Sequence, residues 1–425
     1  MGCRFKLDKS PLNLQVQAGF FLWFCLLLAL FAVPRAQAAV VEITAVFSPD
    51  PTNPNVNEFI NTTPNSGLCL TFPSMCKPPL YSIRLGVEPT TQYAIPANPS
   101  SLRDSAMFKV PADTRTVQVT SPSGQTAEVA FSITAFSATI RTNPYVNTIT
   151  SVNSGPFLAH DALWGQNWSY FAAAPCTLGA QMTAPSYVDA DFFWFTPVQQ
   201  ACGKLPKFEI PWLRLRNTSV AYRMTTPDPL SMESGTYVGS ITYSIGPNGD
   251  FDFGDNLTTS VTEVTFNLSL DVQHTLKFQF PANYNRISLY PAGGWQQWLD
   301  RGRRPEALAA SQAFNIWAST PLSVELQCEY TEASQCGIRN PAGHTVTVDT
   351  RITLPNGLRD ASSQPVNRYL LTTTPTIFSP SHYVDNGAAT LQFNVERDQV
   401  ASMIADHSGS TYRGTITVIF DSELH

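Results

Sequence analysis

Ser408–Phe420 reads SGSTYRGTITVIF, and Ser234–Ile245, far upstream, reads SGTYVGSITYSI. Both carry Tyr-x-Gly-x-Ile-Thr, at Tyr237, Gly239, Ile241 and Thr242 and again at Tyr412, Gly414, Ile416 and Thr417. Side chains alternate across a strand, so Tyr412, Gly414, Ile416, Val418 and Phe420 share one face, opposite Arg413, Thr415, Thr417 and Ile419. The glycine lets another backbone come close beside the tyrosine. Each copy is read as closing one β-sandwich. After Phe420 only Asp421–His425 remain, too few for a further strand of ordinary length. The second sandwich is therefore expected to lack its last strand, leaving a groove along Tyr412, Gly414, Ile416, Val418 and Phe420 with an unpaired backbone edge. Such an edge recruits a strand from another chain. Filling it with about five apolar side chains at about 1.5–3 kcal/mol each contributes at most roughly 8–15 kcal/mol, comparable to the stability of a whole domain.

Working outward, the chain reads as all-β. VTEVTFNLSLDVQHTLKFQF (261–280) places Val264, Phe266, Leu268, Leu270 and Val272 on one face, and 33 prolines and 23 glycines punctuate many short runs. Helical patterning is scarce: Arg303–Ala318 is the best short helix, and Arg397–Ser408 a second. The length exceeds one sandwich. The spacing of the repeated strand gives two immunoglobulin-like β-sandwich domains in tandem: residues 39–245, a turn-rich linker at 246–256, and residues 257–425, the last being incomplete.

Residues 1–38 read as an export signal, with Arg4, Lys6 and Lys9 before an apolar run, Phe20–Val33, and a small-residue exit at Ala36-Gln37-Ala38. Without them the chain has 22 basic and 31 acidic side chains, a formal charge of −9, which argues against nucleic acid as a partner. Six cysteines remain for an oxidising compartment: Cys69, Cys76, Cys176, Cys202, Cys328 and Cys336. If the C-terminal part folds alone, Cys328 joins Cys336, and three pairings stay open; the sequential one, Cys69 with Cys76 and Cys176 with Cys202, is adopted.

No nucleophile elbow, zinc-binding His-Glu-x-x-His or phosphate loop occurs, and the histidines are scattered singly, so no catalytic residue, cofactor or metal is assigned. Asp250, Asp252 and Asp255 are spaced like the start of a calcium loop, but Val261 stands where the closing Glu belongs. Asp189 and Asp191 fit a wet strand face as well as a glycosidase pair. The densest aromatic region spans LWGQNWSYFAAAPC (163–176) and YVDADFFWF (187–195). Most such rings are core, yet four consecutive aromatics in a strand send one or two outward unless both faces are covered. Trp164, Trp168, Phe193 and Trp194 are therefore the receptor-binding candidates, able to stack on sugar rings.

GTYVGSITYSIG (235–246), VTFNLSLDVQHTLKFQFP (264–281), LYPAGGWQQWL (289–299), CEYTEASQC (328–336) and TYRGTITVIFDS (411–422), with the early loop CLTFPSMC (69–76), together resemble the CblD-like pilus biogenesis initiators, the two-domain tip adhesins of alpha-type (colonization-factor) fimbriae. The resemblance covers the second domain and the end of the first, and is thinner over 39–204. It implies that residues 39–245 bind a host receptor, a glycan in the first instance, and that residues 257–425 form a pilin-like domain accepting a donor strand from the next, major pilin subunit. It further implies a periplasmic chaperone that fills the groove first, an outer-membrane usher, and a place at the fimbrium tip after export through the periplasm. The relatives' clustered receptor-site arginines have no counterpart, since the one dense run, Arg301, Arg303 and Arg304, lies in the second domain. A structural minor pilin without a receptor and a secreted carbohydrate-active enzyme are the alternative readings. AVVEITAVF (39–47) alternates like a donor strand, which would place the protein inside a fibre.

Overall fold

The computed structural model describes residues 37–76, 79–282 and 284–422. Residues 1–36, most of the stretch read as an export signal, and the terminal 423–425 lie outside the described residues. The fold is all-β, with two separate main cores.

Around the first core lie β1 (Gln37–Phe47), β2 (Tyr81–Arg84), β3 (Arg115–Thr120), β4 (Thr126–Asn143), β5 (Asp189–Phe195), β6 (Trp212–Thr225), β7 (Gly235–Ser244) and β8 (Val261–Val272). They form one continuous sheet in the order β6, β4, β3, β7, β8, β1, with β2 added on β6 and β5 on β4. The two long strands β4 and β6 slip register twice, between Arg216 and Ser219 and between Ala221 and Tyr222. Such bulges bend and twist a sheet, here around a single core. Short helices lie against it, among them α1 (Leu68–Thr71) and α2 (Pro156–Trp164).

The second core is a sandwich. One sheet runs β9 (Leu276–Gln279), β10 (Leu308–Ala318), β15 (Val384–Val395), β13 (Thr345–Thr353), β12 (Gln335–Arg339); the other holds β14 (Thr376–Pro380), β11 (Leu322–Cys328) and β16 (Ile416–Ser422). A helix, α3 (Arg397–Ala405), precedes β16. The disulfides join Cys69 to Cys76, Cys176 to Cys202 and Cys328 to Cys336.

Three expectations change. β8 belongs to the first core, not to a second domain beginning at 257: it pairs antiparallel with β7 and parallel with β1, and Val264, Phe266, Leu268, Leu270 and Val272 are all buried there. The supposed linker 246–256 is packed structure in the same unit. Phe251 and Phe253 enter the core, and Arg103 and Arg115 take up the three acids, Arg103 reaching Asp252 at 2.9 Å and Asp255 at 2.6 Å while Arg115 pairs with Asp250. Those carboxylates bind guanidinium groups where the spacing had suggested calcium. Finally, the stretch read as a helix over 303–318 contains β10. Its alanines favour helix, but Phe314, Ile316 and Ala318 alternate with Asn315 and Trp317, and burying that face between β9 and β15 outweighs the weak local preference.

β1 is not a free donor strand. Val41, Ile43, Ala45 and Phe47 are buried in the chain's own first core.

Candidate functional site

The two copies of Tyr-x-Gly meet different fates. In the first, β7 has β8 alongside, with Tyr237 opposite Leu270, Gly239 opposite Leu268, Ile241 opposite Phe266 and Tyr243 opposite Val264. Behind Gly239 the carbonyl of Gln118 would stand 2.3 Å from an added Cβ, so only glycine fits. In the second copy the glycine has the same use: an added Cβ on Gly414 would lie 2.8 Å from the Gly337 carbonyl oxygen. The strand that follows is what differs. Among the described residues β16 has one strand neighbour, β11, with Cys328 opposite Ile416 through to Leu322 opposite Ser422.

Hydrogen bonding in an antiparallel pair alternates between the two sides of a strand. Glu329 N–H donates to the Thr415 carbonyl at 3.0 Å, while Leu326 N–H turns away to Thr372 at 2.9 Å. By that alternation Thr415, Thr417, Ile419 and Asp421 bond to β11. The N–H and C=O groups of Ile416, Val418 and Phe420 therefore face the open side.

Beside that edge runs an apolar groove of 620 Å³. Gly414, Ile416, Val418 and Phe420 line it together with Phe280, Tyr284, Ile287 and Leu289 and with Val348, Leu391 and Phe393. Ile416, Val418 and Phe420 pack on the second core yet remain half-buried, in contrast to the fully buried Val264, Phe266, Leu268, Leu270 and Val272 of β8. One end is closed by rings: Phe420 lies 4.5 Å from Phe278 and 5.7 Å from Phe314, centroid to centroid. Of the five residues named from the sequence, Gly414, Ile416, Val418 and Phe420 lie along this groove. Tyr412 does not: its hydroxyl is 2.7 Å from His344 Nδ1 and 3.4 Å from Asn340 Nδ2, because the strand has already turned toward β12 through the Arg413–Arg339 bridge.

The aromatic candidates are not a surface. Trp164, Trp168, Phe193 and Trp194 are all buried, the last with no exposure at all. Trp168 stacks on Trp194 at 4.5 Å and an interplanar angle of 7°, and Trp194 Nε1 donates to the Trp168 carbonyl at 3.0 Å. β5 is covered on both faces: Phe192 and Trp194 enter the main core, whereas Phe193 and Phe195 pack with Leu68, Ala135, Met182 and Ala221 under the Cys69–Cys76 loop. That second cover was the condition on which the outward expectation depended. Of the acidic pair, Asp189 is bonded to Arg141 at 2.5 Å and Asp191 accepts from the Thr139 hydroxyl.

No family model matches the chain, and no curated protein matches it. Among solved structures the chain is similar to the CsuC–CsuE chaperone–tip adhesion subunit pre-assembly complex from the archaic chaperone-usher Csu pili of Acinetobacter baumannii, at 9% identity, covering 91% of this chain and 99% of that chain, with a TM-score of 0.20. A superposition that loose carries no argument about the present chain.

Proposed function

We propose that this protein is a subunit of a chaperone-usher pilus, acting at the tip as adhesin and assembly initiator, in the manner of the CblD-like initiators its sequence resembles. The observation that carries the proposal is internal to the chain. The slot beside β7 is filled by β8, and the corresponding slot beside β16 is an apolar groove with a free backbone edge. A donor strand from the next subunit, or a chaperone strand before assembly, completes the second unit. It bonds to the backbone of Ile416, Val418 and Phe420 and sets alternate apolar side chains into the groove. Because β1 is committed to its own sheet, the chain accepts a strand without offering that one, which supports a terminal rather than an internal place. The domain boundary is proposed to fall near His274, after β8. The first unit carries the receptor site, and binding, not turnover, is the activity.

The test uses the sequence that fills the slot in the first unit. A synthetic Val261–Val272 peptide, with versions shifted by two residues, is added to the full chain, and thermal unfolding and amide exchange are followed. At a hundredfold excess over its dissociation constant the peptide stabilises the second unit by about 2.7 kcal/mol, a rise of roughly 5–10 °C. The amides of Ile416, Val418 and Phe420 gain protection. Val418→Asp abolishes both effects. An unmoved midpoint across the peptides and a purified chaperone, with those amides exchanging as before, refutes the open-groove reading.

A further inference from the structure

A small cavity of 120 Å³ opens on the first unit, remote in sequence from the groove, where the Cys69–Cys76 loop lies over β4, β5 and β6. That volume is about the room of one small ring. Its wall is built by an irregularity. β6 carries one extra residue opposite Ala138, in the register slip between Arg216 and Ser219, and Asn217 there adopts a left-handed conformation with φ 51°. Bulges re-aim side chains in this way and are frequent beside sites. Gly67 closes the opposite side, its φ of 66° and a Cβ position only 2.3 Å from Ser219 Cβ allowing no other residue without movement.

The polar groups at this cavity are unevenly satisfied. Asn217 Nδ2 donates to the Thr139 hydroxyl at 3.4 Å, and that hydroxyl donates to Asp191 Oδ1. The other Asp191 oxygen has no hydrogen-bond partner among the described residues, and burial, with Asp189 nearby, raises this carboxyl above its ordinary pKa. Arg84 lines the same cavity, and its guanidinium makes no ion pair or hydrogen bond among the described residues, not even with Asp191. Phe72 adds a ring at the wall. A free acceptor, a free fork of donors, an amide that does both, and an aromatic face do not suit a simple anion or cation. They suit a ligand whose hydroxyls both donate and accept and whose ring has an apolar face.

We infer that the cavity bounded by Phe72, Arg84, Asp191 and Asn217 is a pyranose-binding site, the receptor site of the first unit. The inference rests on the adhesin half of the function proposed above. Asp191 accepts from a pair of ring hydroxyls, Arg84 and Asn217 donate to their neighbours, and Phe72 lies against the C–H face.

The test screens the full chain, with its groove filled by the donor peptide, on an array of immobilised mono- and disaccharides. Arg84→Ala, Asp191→Asn and Phe72→Ala are screened beside it. Each variant is expected to weaken the bound saccharide by about tenfold or more, with the peptide-induced thermal shift, which reports the other unit, unchanged. Asp191→Asn keeps the shape and Arg84 is exposed, so an unaltered midpoint shows that loss of binding is not loss of fold. Saccharide binding retained within about twofold by both charge variants overturns the site and leaves the pilus reading standing. Cell adhesion by a chain that binds no saccharide on the array overturns the ligand class. A missing peptide shift with intact, Asp191-dependent saccharide binding overturns the pilus reading alone.

Discussion

Trp194 shows how a residue type misleads when its second neighbour is unseen. Read from YVDADFFWF, an aromatic in a run of four looks available; in the fold it is sandwiched by Trp168, Phe192 and Phe108. Trp194→Ala is therefore expected to cost about 3–5 kcal/mol, measured by urea unfolding, through the cavity it leaves. A variant of unchanged stability with lost receptor binding would return Trp194 to the surface. His160 and His274 make the second residue-scale argument. Burial is the main cause that lowers both below the usual imidazole value of 6.5. The unfolded chain then takes up protons first as pH falls, so stability is full above about pH 6.5 and is lost progressively below it. Urea midpoints at pH 8 and pH 5.5 should differ in that direction, and a flat profile would contradict the burial of these rings.

At the scale of elements, β7 with β8 and β16 with its empty slot form a natural control pair. Gly239→Ala forces a Cβ to 2.3 Å from the Gln118 carbonyl oxygen, and Gly414→Ala one to 2.8 Å from that of Gly337. The first substitution should destabilise the first unit by about 1–3 kcal/mol, and the second should cost less because β16 has fewer fixed neighbours. Phe266→Asp places a charge at a fully buried position of β8 and should unfold the first unit, whereas Ile416→Asp, on the strand whose neighbour is missing, should spare it and prevent completion of the second. Circular dichroism melts resolve the two transitions. Equal damage to both units from Ile416→Asp would mean that the cores are not separate. The alternation of β8 was legible because five apolar residues recur at period two. Its membership was not, since pairing with β1 spans over two hundred residues and leaves no local trace.

At the scale of the whole molecule, the units meet at His274, two residues after β8. His274 Nε2 lies 2.8 Å from the Met232 carbonyl of the first unit, and Nδ1 lies 3.1 Å from Ser319 Oγ of the second. A carbonyl only accepts, so Nε2 carries the proton and Nδ1 accepts from the serine hydroxyl, which in turn accepts from Thr275 N–H at 2.9 Å. Protonating Nδ1 reverses the Ser319 bond and loosens the clasp. His274→Gln is expected to reduce the pH dependence of the midpoint while leaving peptide completion of the groove intact, since the groove lies along β16 and not at the clasp.

The chain's local chemistry determined many of its strands and the recurrence of one glycine-bearing strand, because period-two patterning and close backbone approach are written in neighbouring residues. It also placed Gly414, Ile416, Val418 and Phe420 along one apolar face. Tertiary structure alone decided what covers each face and each edge. It buried the tryptophans under a second layer, gave β8 to the first core, turned an alanine-rich segment into a central strand, and brought Arg84, Asp191 and Asn217 to one cavity. Those outcomes depend on contacts between segments distant in sequence, whose burial free energy exceeds the local preferences that a reading of neighbours can weigh.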